Sequence, residues 1–177
     1  MIFITGNQNK VREFEEILGQ KLESVDLDLE EIQSIDVENV ASEKAKKAFE
    51  ILKKPLIVED TGLHFEEMNG LPGALIRFFV DKLSLEQICG LVKHDRRASA
   101  KTCIAYADKN GIKLFTGEVE GEIVKEPRGK NGFGWDPIFV PENEKKTFAE
   151  MTAEEKSSRF MRFEAAGKLK SFLTAKQ

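Results

Sequence analysis

Met1-Ile2-Phe3-Ile4-Thr5-Gly6-Asn7-Gln8-Asn9-Lys10 reads as a buried strand, then a tight polar loop, then the N-terminus of a helix. The apolar run stops at Thr5, and a helical pattern begins after Asn9. Backbone N–H groups, the positive end of a helix dipole and a lysine meet at one point, which is where phosphate binds proteins. Thr5, Gly6, Asn7, Gln8, Asn9 and Lys10 are therefore a candidate anion cradle. The plain alternative is a strand–turn–helix with a solvated lysine. Gly6 does not belong to a Walker A loop, because no Gly-Lys-Ser/Thr follows it.

Outward from this stretch, residues 11–18 place Val11, Phe14, Ile17 and Leu18 on one helical face, with Gly19 as a stop. Residues 24–29 alternate as a half-buried strand that Glu30-Glu31 closes. A helix follows with Ala41, Ala45, Ala48, Phe49 and Leu52 in register, ended by Lys54-Pro55. Leu56-Ile57-Val58 is a short buried strand delivering Glu59-Asp60-Thr61-Gly62. Gly70-Leu71-Pro72-Gly73 turns into a helix over 76–83, and Ser84 with Gln87 caps another. Residues 98–106 read as a strand, 108–111 as a hairpin turn, and 112–116 and 118–124 as two further strands. Ile138-Phe139-Val140 is a strand halted by Pro141, and Thr152 with Glu155 starts one long C-terminal helix. Helices and strands alternate early and antiparallel strands cluster later, so the fold class is α/β with a mixed sheet rather than a pure doubly wound one. Residues 1–177 form a single domain, with no repeats or linkers.

The composition, 41% hydrophobic and 33% charged with a net charge of −4, describes a globular chain that does not bind nucleic acid nonspecifically. Cys89 and Cys103 make no disulfide framework, and no run reaches membrane-spanning length. The expectation is a cytoplasmic protein with no membrane partner. His64 and His94 lack zinc spacing, and no Ser–His or Cys–His arrangement supports nucleophilic catalysis.

Glu59-Asp60 ends a buried strand, where α/β sheets place ligands. Adjacent strand residues face opposite ways, so one carboxylate faces the ligand and the other takes a structural partner. Such a carboxylate binds Mg²⁺ or takes a proton from water; a salt-bridged strand end is the alternative. Glu31, with Glu30, offers a second hard oxygen ligand. In Gly132-Phe133-Gly134-Trp135-Asp136-Pro137, Phe133 or Trp135 suits stacking on a base and Asp136 suits accepting from base N–H groups. The competing reading is a buried aromatic corner. Lys44 and Arg77 are candidate phosphate partners, and Lys156, Arg159 and Arg162 fall three apart on the expected last helix.

Thr5 to Lys10, Val58-Glu59-Asp60-Thr61-Gly62-Leu63, Gly70 to Gly73 and Gly132 to Pro137 occur in that order, and the chain resembles the inosine triphosphate pyrophosphatase family, most closely its archaeal and eukaryotic branch. The likeness implies a long mixed β-sheet flanked by helices, two lobes with a central nucleotide cleft, and a homodimer. It implies Mg²⁺-dependent hydrolysis of ITP, dITP and XTP, purine nucleoside triphosphates, to monophosphate and pyrophosphate. By position it puts Thr5 to Lys10, Lys44 and Arg77 at the triphosphate, and Glu31 and Asp60 at the metal. Asp60 and Lys10 become the catalytic pair, and Thr61 a nucleotide contact. Phe133, Gly134, Trp135, Asp136, Lys156, Met161 and Arg162 surround the base. One departure stands out: the family's Ser-His-Arg becomes Phe160-Met161-Arg162, and methionine cannot hydrogen-bond as histidine does. A shifted register would use Ser157-Ser158-Arg159 instead. A related pyrophosphatase with another base preference, or a nucleotide-binding protein that does not hydrolyse, are the alternatives.

Overall fold

A computed structural model of the chain describes residues 1–157 and 160–176. The strands are β1 (Ile2–Ile4), β2 (Glu23–Val25), β3 (Leu56–Phe65), β4 (Pro72–Gly73), β5 (Arg97–Asp108), β6 (Gly111–Ile123) and β7 (Phe139–Pro141). They form one sheet in the order β2-β1-β3-β5-β6-β7, with β4 also on β3. β1 runs parallel to β2 and β3, and every other pairing is antiparallel. The helices are α1 (Gln8–Leu18), α2 (Val37–Leu52), α3 (Ile76–Lys82), α4 (Leu85–Cys89), α5 (Ala153–Ser157) and α6 (Met161–Ala175). Among the described residues no helix is long and apolar enough to cross a membrane.

The expected α/β mixed sheet flanked by helices is what forms. α1 and α6 cover one face through Phe14, Leu18, Ala165 and Leu169, packed on Phe3, Ile57 and Ile104. α2 covers the other through Ala41, Ala45 and Ala48, packed on Ile4, Val58 and Ala105. A third apolar cluster, around Phe65, Trp135, Phe139, Phe148 and Phe160, packs the far end of the sheet. Two elements follow the sequence signals closely: Gly19 ends α1 in the left-handed region (φ 71°), and Ser84 and Gln87 form a reciprocal capping box on α4.

Five expectations are corrected. β2 stops at Val25, not at residue 29; Leu27 and Leu29 still pack on the α2 face, but Lys44 and Lys47 of α2, rather than a strand ladder, anchor Glu30 and Glu31. Glu31 therefore does not end a strand. β3 is ten residues long, so Glu59 and Asp60 lie within it, because β5 pairs with it from Leu56 to Phe65. β6 is continuous through Gly117. That glycine marks not a break but a close approach: a Cβ there would collide with the Met161 carbonyl oxygen at the start of α6. The C-terminal helix is two helices. Thr152 and Glu155 do cap the first, each donating its N–H to the other's side chain, but α5 ends at Ser157 and α6 starts at Met161. Lys156 and Arg162 thus sit on different helices, and Ser158 and Arg159 lie outside the described residues. β7 does end at Pro141, which an edge strand tolerates as its last residue, but Ile138 lies in the 3-10 turn before it rather than in the strand.

Gly117→Ala forces α6 away from β6. The expected result is a loss of about 1–3 kcal/mol of stability, the usual cost of overpacking, read as a lower urea midpoint. An unchanged midpoint would contradict the close approach.

Candidate functional site

β1 pairs with β3 only as far as Val58, and β4 pairs with it only from Leu63. Between them the edge of β3 from Glu59 to Gly62 has no strand neighbour on that side. The chain leaving β1 continues into α1, whose Lys10 reaches Glu59 on this stretch. Asn7 caps α1, its side chain accepting from the N–H groups of Asn9 (3.0 Å) and Lys10 (3.4 Å). Thr5 Oγ1 accepts from the Asn7 N–H at 3.1 Å. The stretch from Thr5 to Lys10 is thus a loop and helix N-terminus, with Asn7 itself on two of its donors. Gly6 lies against Asp26, whose carboxylate a Cβ would meet. Gln8 is the first residue of α1.

Strand alternation sends Glu59 and Asp60 to opposite faces. Glu59 points to the α1/α6 side, where its side chain is fully buried. Oε2 lies 2.7 Å from Lys10 Nζ. Oε1 accepts from Thr61 Oγ1 at 2.6 Å and from Arg162 Nε at 3.1 Å. Burial opposes ionisation of Glu59, but the Arg162 and Lys10 charges outweigh it and bring the carboxyl down to about 2. Arg162, itself 1% exposed, also donates to Glu13 of α1. Its donors are thereby engaged by Glu59 and Glu13 rather than turned to the Phe133–Asp136 loop. Thr61 Oγ1 also meets Thr102 Oγ1 at 3.2 Å, so it supports Glu59.

Asp60 points to the α2 side. Lys44 Nζ lies 4.0 Å from Asp60 Oδ1 and 2.7 Å from Glu31 Oε1, so the structure brings together the acid pair expected at the metal. Asp60 Oδ2 is buried with no hydrogen-bond partner. Burial, helped by Glu59 and Glu31 and resisted by Lys10 and Lys44, pushes its carboxyl up to about 7. A buried oxygen without a partner beside a second carboxylate fits a hard divalent cation. Among the described residues no group of three or more acidic, histidine or cysteine side chains forms a metal cage.

The Gly132–Pro137 loop lies against α5 and α6. Lys156 Nζ pairs with Asp136 Oδ2 at 2.6 Å, and the Phe133 N–H donates to the same oxygen at 3.2 Å. Gly134 turns the loop at φ 63°. The Phe133 ring lies 5.8 Å from the Arg162 guanidinium carbon. Trp135 is buried and packs edge-on against Phe139 at 5.9 Å, which makes it the core corner and leaves Phe133 as the aromatic ring nearer the charged groups. Met161 is fully buried in the apolar cluster. Arg77 stands apart: its side chain is 82% exposed on α3 and pairs with Asp81 at 3.7 Å. Sequence reasoning missed Glu13 and Thr102. Glu13 carried a usable signal, since it lies three residues after Lys10 and so on the same side of α1. A surface cavity of about 480 Å³ bordered by Tyr106, Asp108, Phe172 and Lys176 lies at the β5–β6 hairpin end. Its Lys176 is tied to Asp108 and is not displayed for an anion.

Comparison with known proteins points one way. The model of the Ham1 family matches residues 1–172. An inosine triphosphate pyrophosphatase of Schizosaccharomyces pombe is 41% identical, over 100% of this chain and 96% of its own length. A dITP/XTP pyrophosphatase of Methanopyrus kandleri is 43% identical, over 88% of this chain and 86% of its own. Among solved structures, a HAM1 protein from Coxiella burnetii superposes with a TM-score of 0.86 at 30% identity, covering 98% of each chain.

The Asp60 environment has a stability signature. Its ordinary value is 3.8, so between about 4 and 7 the folded state holds a proton that the unfolded state has released. Stability then falls as pH rises through that window, by at most about 1.4 kcal/mol per unit. In metal-free protein, the thermal midpoint of Asp60→Asn is expected to gain on that of the unsubstituted chain from pH 4 to pH 7 and then run level. A gap that does not change with pH would refute a desolvated Asp60.

Proposed function

The chain belongs to the Ham1 family, and from that premise we propose that it hydrolyses ITP, dITP and XTP to the monophosphate and pyrophosphate, clearing non-standard purines from the nucleotide pool. The observation that supports the reading is the setting of Glu59 and Asp60: Glu59 is paired with Lys10 of α1 and with Arg162, whose guanidinium lies 5.8 Å from the Phe133 ring, while Asp60, on the other face, meets Lys44 and through it Glu31.

In this reading the triphosphate lies over the start of α1, with Lys10 and Lys44 as counter-ions. Asp60 takes the proton of the water that attacks the α-phosphorus as the P–O bond to the pyrophosphate breaks. Lys10 neutralises the charge that grows on the departing pyrophosphate. Glu31 and Asp60 would hold Mg²⁺, which would supply Lewis-acid stabilisation of the same charge. Glu59 fixes Lys10, and Arg162 fixes Glu59. The base enters beside Phe133. Lys156 donates to the 6-keto oxygen of hypoxanthine or xanthine, and adenine, with an amino group there, leaves that donor unpaired. The reading includes a homodimer in the cytoplasm; the exposed Phe78, Leu71 and Ile35 are apolar surface in keeping with an interface.

The deciding assay is pyrophosphate release with Mg²⁺ from inosine, xanthosine, guanosine, adenosine and cytidine triphosphates. Strong preference for the first two is expected. Faster turnover of another nucleotide would favour the alternative in which Phe160-Met161 alters the base preference, and no release from any would leave a binding protein. Lys10→Ala is expected to slow release a hundredfold or more, about 3 kcal/mol in the transition state.

A further inference from the structure

Lys44 occupies an unusual place. Its ammonium touches two carboxylates from different segments: Glu31 Oε1 at 2.7 Å, on the irregular stretch after β2, and Asp60 Oδ1 at 4.0 Å, on β3. The lysine and Asp60 are largely buried, at 19% and 15% exposed, whereas Glu31 is 44% exposed and is the more solvated partner. One positive charge here holds together the two groups read above as the cation's ligands. It does so incompletely, since Asp60 Oδ2 has no partner.

We propose that the Lys44 ammonium is a tethered stand-in for the divalent cation, holding Glu31 and Asp60 together until the cation displaces it from Glu31 and frees it to meet the phosphates. This rests on the reading of Glu31 and Asp60 as the cation's ligands. An ammonium and a divalent cation held on the Glu31 carboxylate at contact distance repel each other, so each weakens the other's hold. The exchange does not require the segment to unfold. Lys47, one turn further along α2, donates to the Glu30 carbonyl oxygen at 2.6 Å and approaches the Glu30 carboxylate at 3.7 Å, and so holds the same stretch in place. The four-carbon stem of Lys44 lets its head move while α2 stays packed through Ala41, Ala45 and Ala48. Competition of this kind weakens binding of the cation alone. It also couples cation binding to triphosphate binding, because the phosphates receive the displaced lysine.

The test is calorimetric titration of the nucleotide-free protein with Mg²⁺, comparing the unsubstituted chain with Lys44→Met, Lys44→Arg and Lys47→Met, each checked by circular dichroism. Lys44→Met is expected to tighten Mg²⁺ binding tenfold or more. Lys44→Arg, which keeps a cation on Glu31, is expected to stay within about threefold of the unsubstituted chain, as is Lys47→Met. Unchanged or weaker binding by Lys44→Met overturns the proposal, since a merely structural Lys44 would leave Glu31 loose when lost. An equal gain in Lys47→Met also overturns it, by exposing a general charge effect. If Lys44→Met does not fold, Lys44→Gln takes its place under the same criteria. Pyrophosphate release by the unsubstituted protein, measured alongside, bears only on the proposed hydrolysis; the titration decides the exchange whichever way that assay falls.

Discussion

The site depends on a buried carboxylate. Glu59 is sealed from water inside the α1/α6 face of the sheet, and an unpaired charge in such a place is strongly destabilising. It is neutralised from two directions, by Lys10 of α1 and by Arg162 of α6. Arg162 in turn reaches Glu13, one helical turn beyond Lys10. One ionic chain therefore fixes β3, α1 and α6 relative to each other. It also fixes where the helix N-terminus sits over the gap in the sheet edge. Breaking any member leaves a buried charge without its partner, so the arrangement is coupled rather than a set of separate contacts.

The next residue works under the opposite condition. Asp60 projects to the α2 face, where burial is nearly as complete but the nearest cation, Lys44, is shared with Glu31 and stands at a distance. Two neighbouring carboxyls are thus driven apart, one down to about 2 and one up to about 7. A permanently charged anchor and a titratable group sit side by side, and environments that separate two acids in this way assign them separate roles. The strand's two-residue period creates the difference, because it hands consecutive residues to different helices.

The loop from Gly132 to Pro137 is attached to this core indirectly. Asp136 and Lys156 pair with each other, the Phe133 ring lies near Arg162, and Trp135 roots the loop among Phe139 and Phe148. The loop is therefore held by an apolar corner and lies beside the Arg162–Glu59 pair. Phe160 and Met161 join the apolar cluster, and of the three residues 160–162 it is Arg162 that carries the ionic link.

What the sequence determined by itself was local and periodic. The strand–loop–helix at residues 1–18, the alanine face of α2, the capping box at Ser84 and the opposed aim of Glu59 and Asp60 follow from residue spacing, backbone donors and the strand period, all of which act within a few residues. Tertiary structure decided the rest. Gly117 read as a break and is a contact, because the reason for it lies in α6, more than forty residues away. β2 ends at Val25 where its partner β1 ends at Ile4, not where the alternating pattern of 24–29 stops. Glu13 gained its role only when Arg162 arrived from the far end of the chain, and Arg162 was taken up by carboxylates that no linear spacing could have put beside it. A sequence pattern specifies which face a side chain takes; which opposite charge meets it there depends on how distant segments pack.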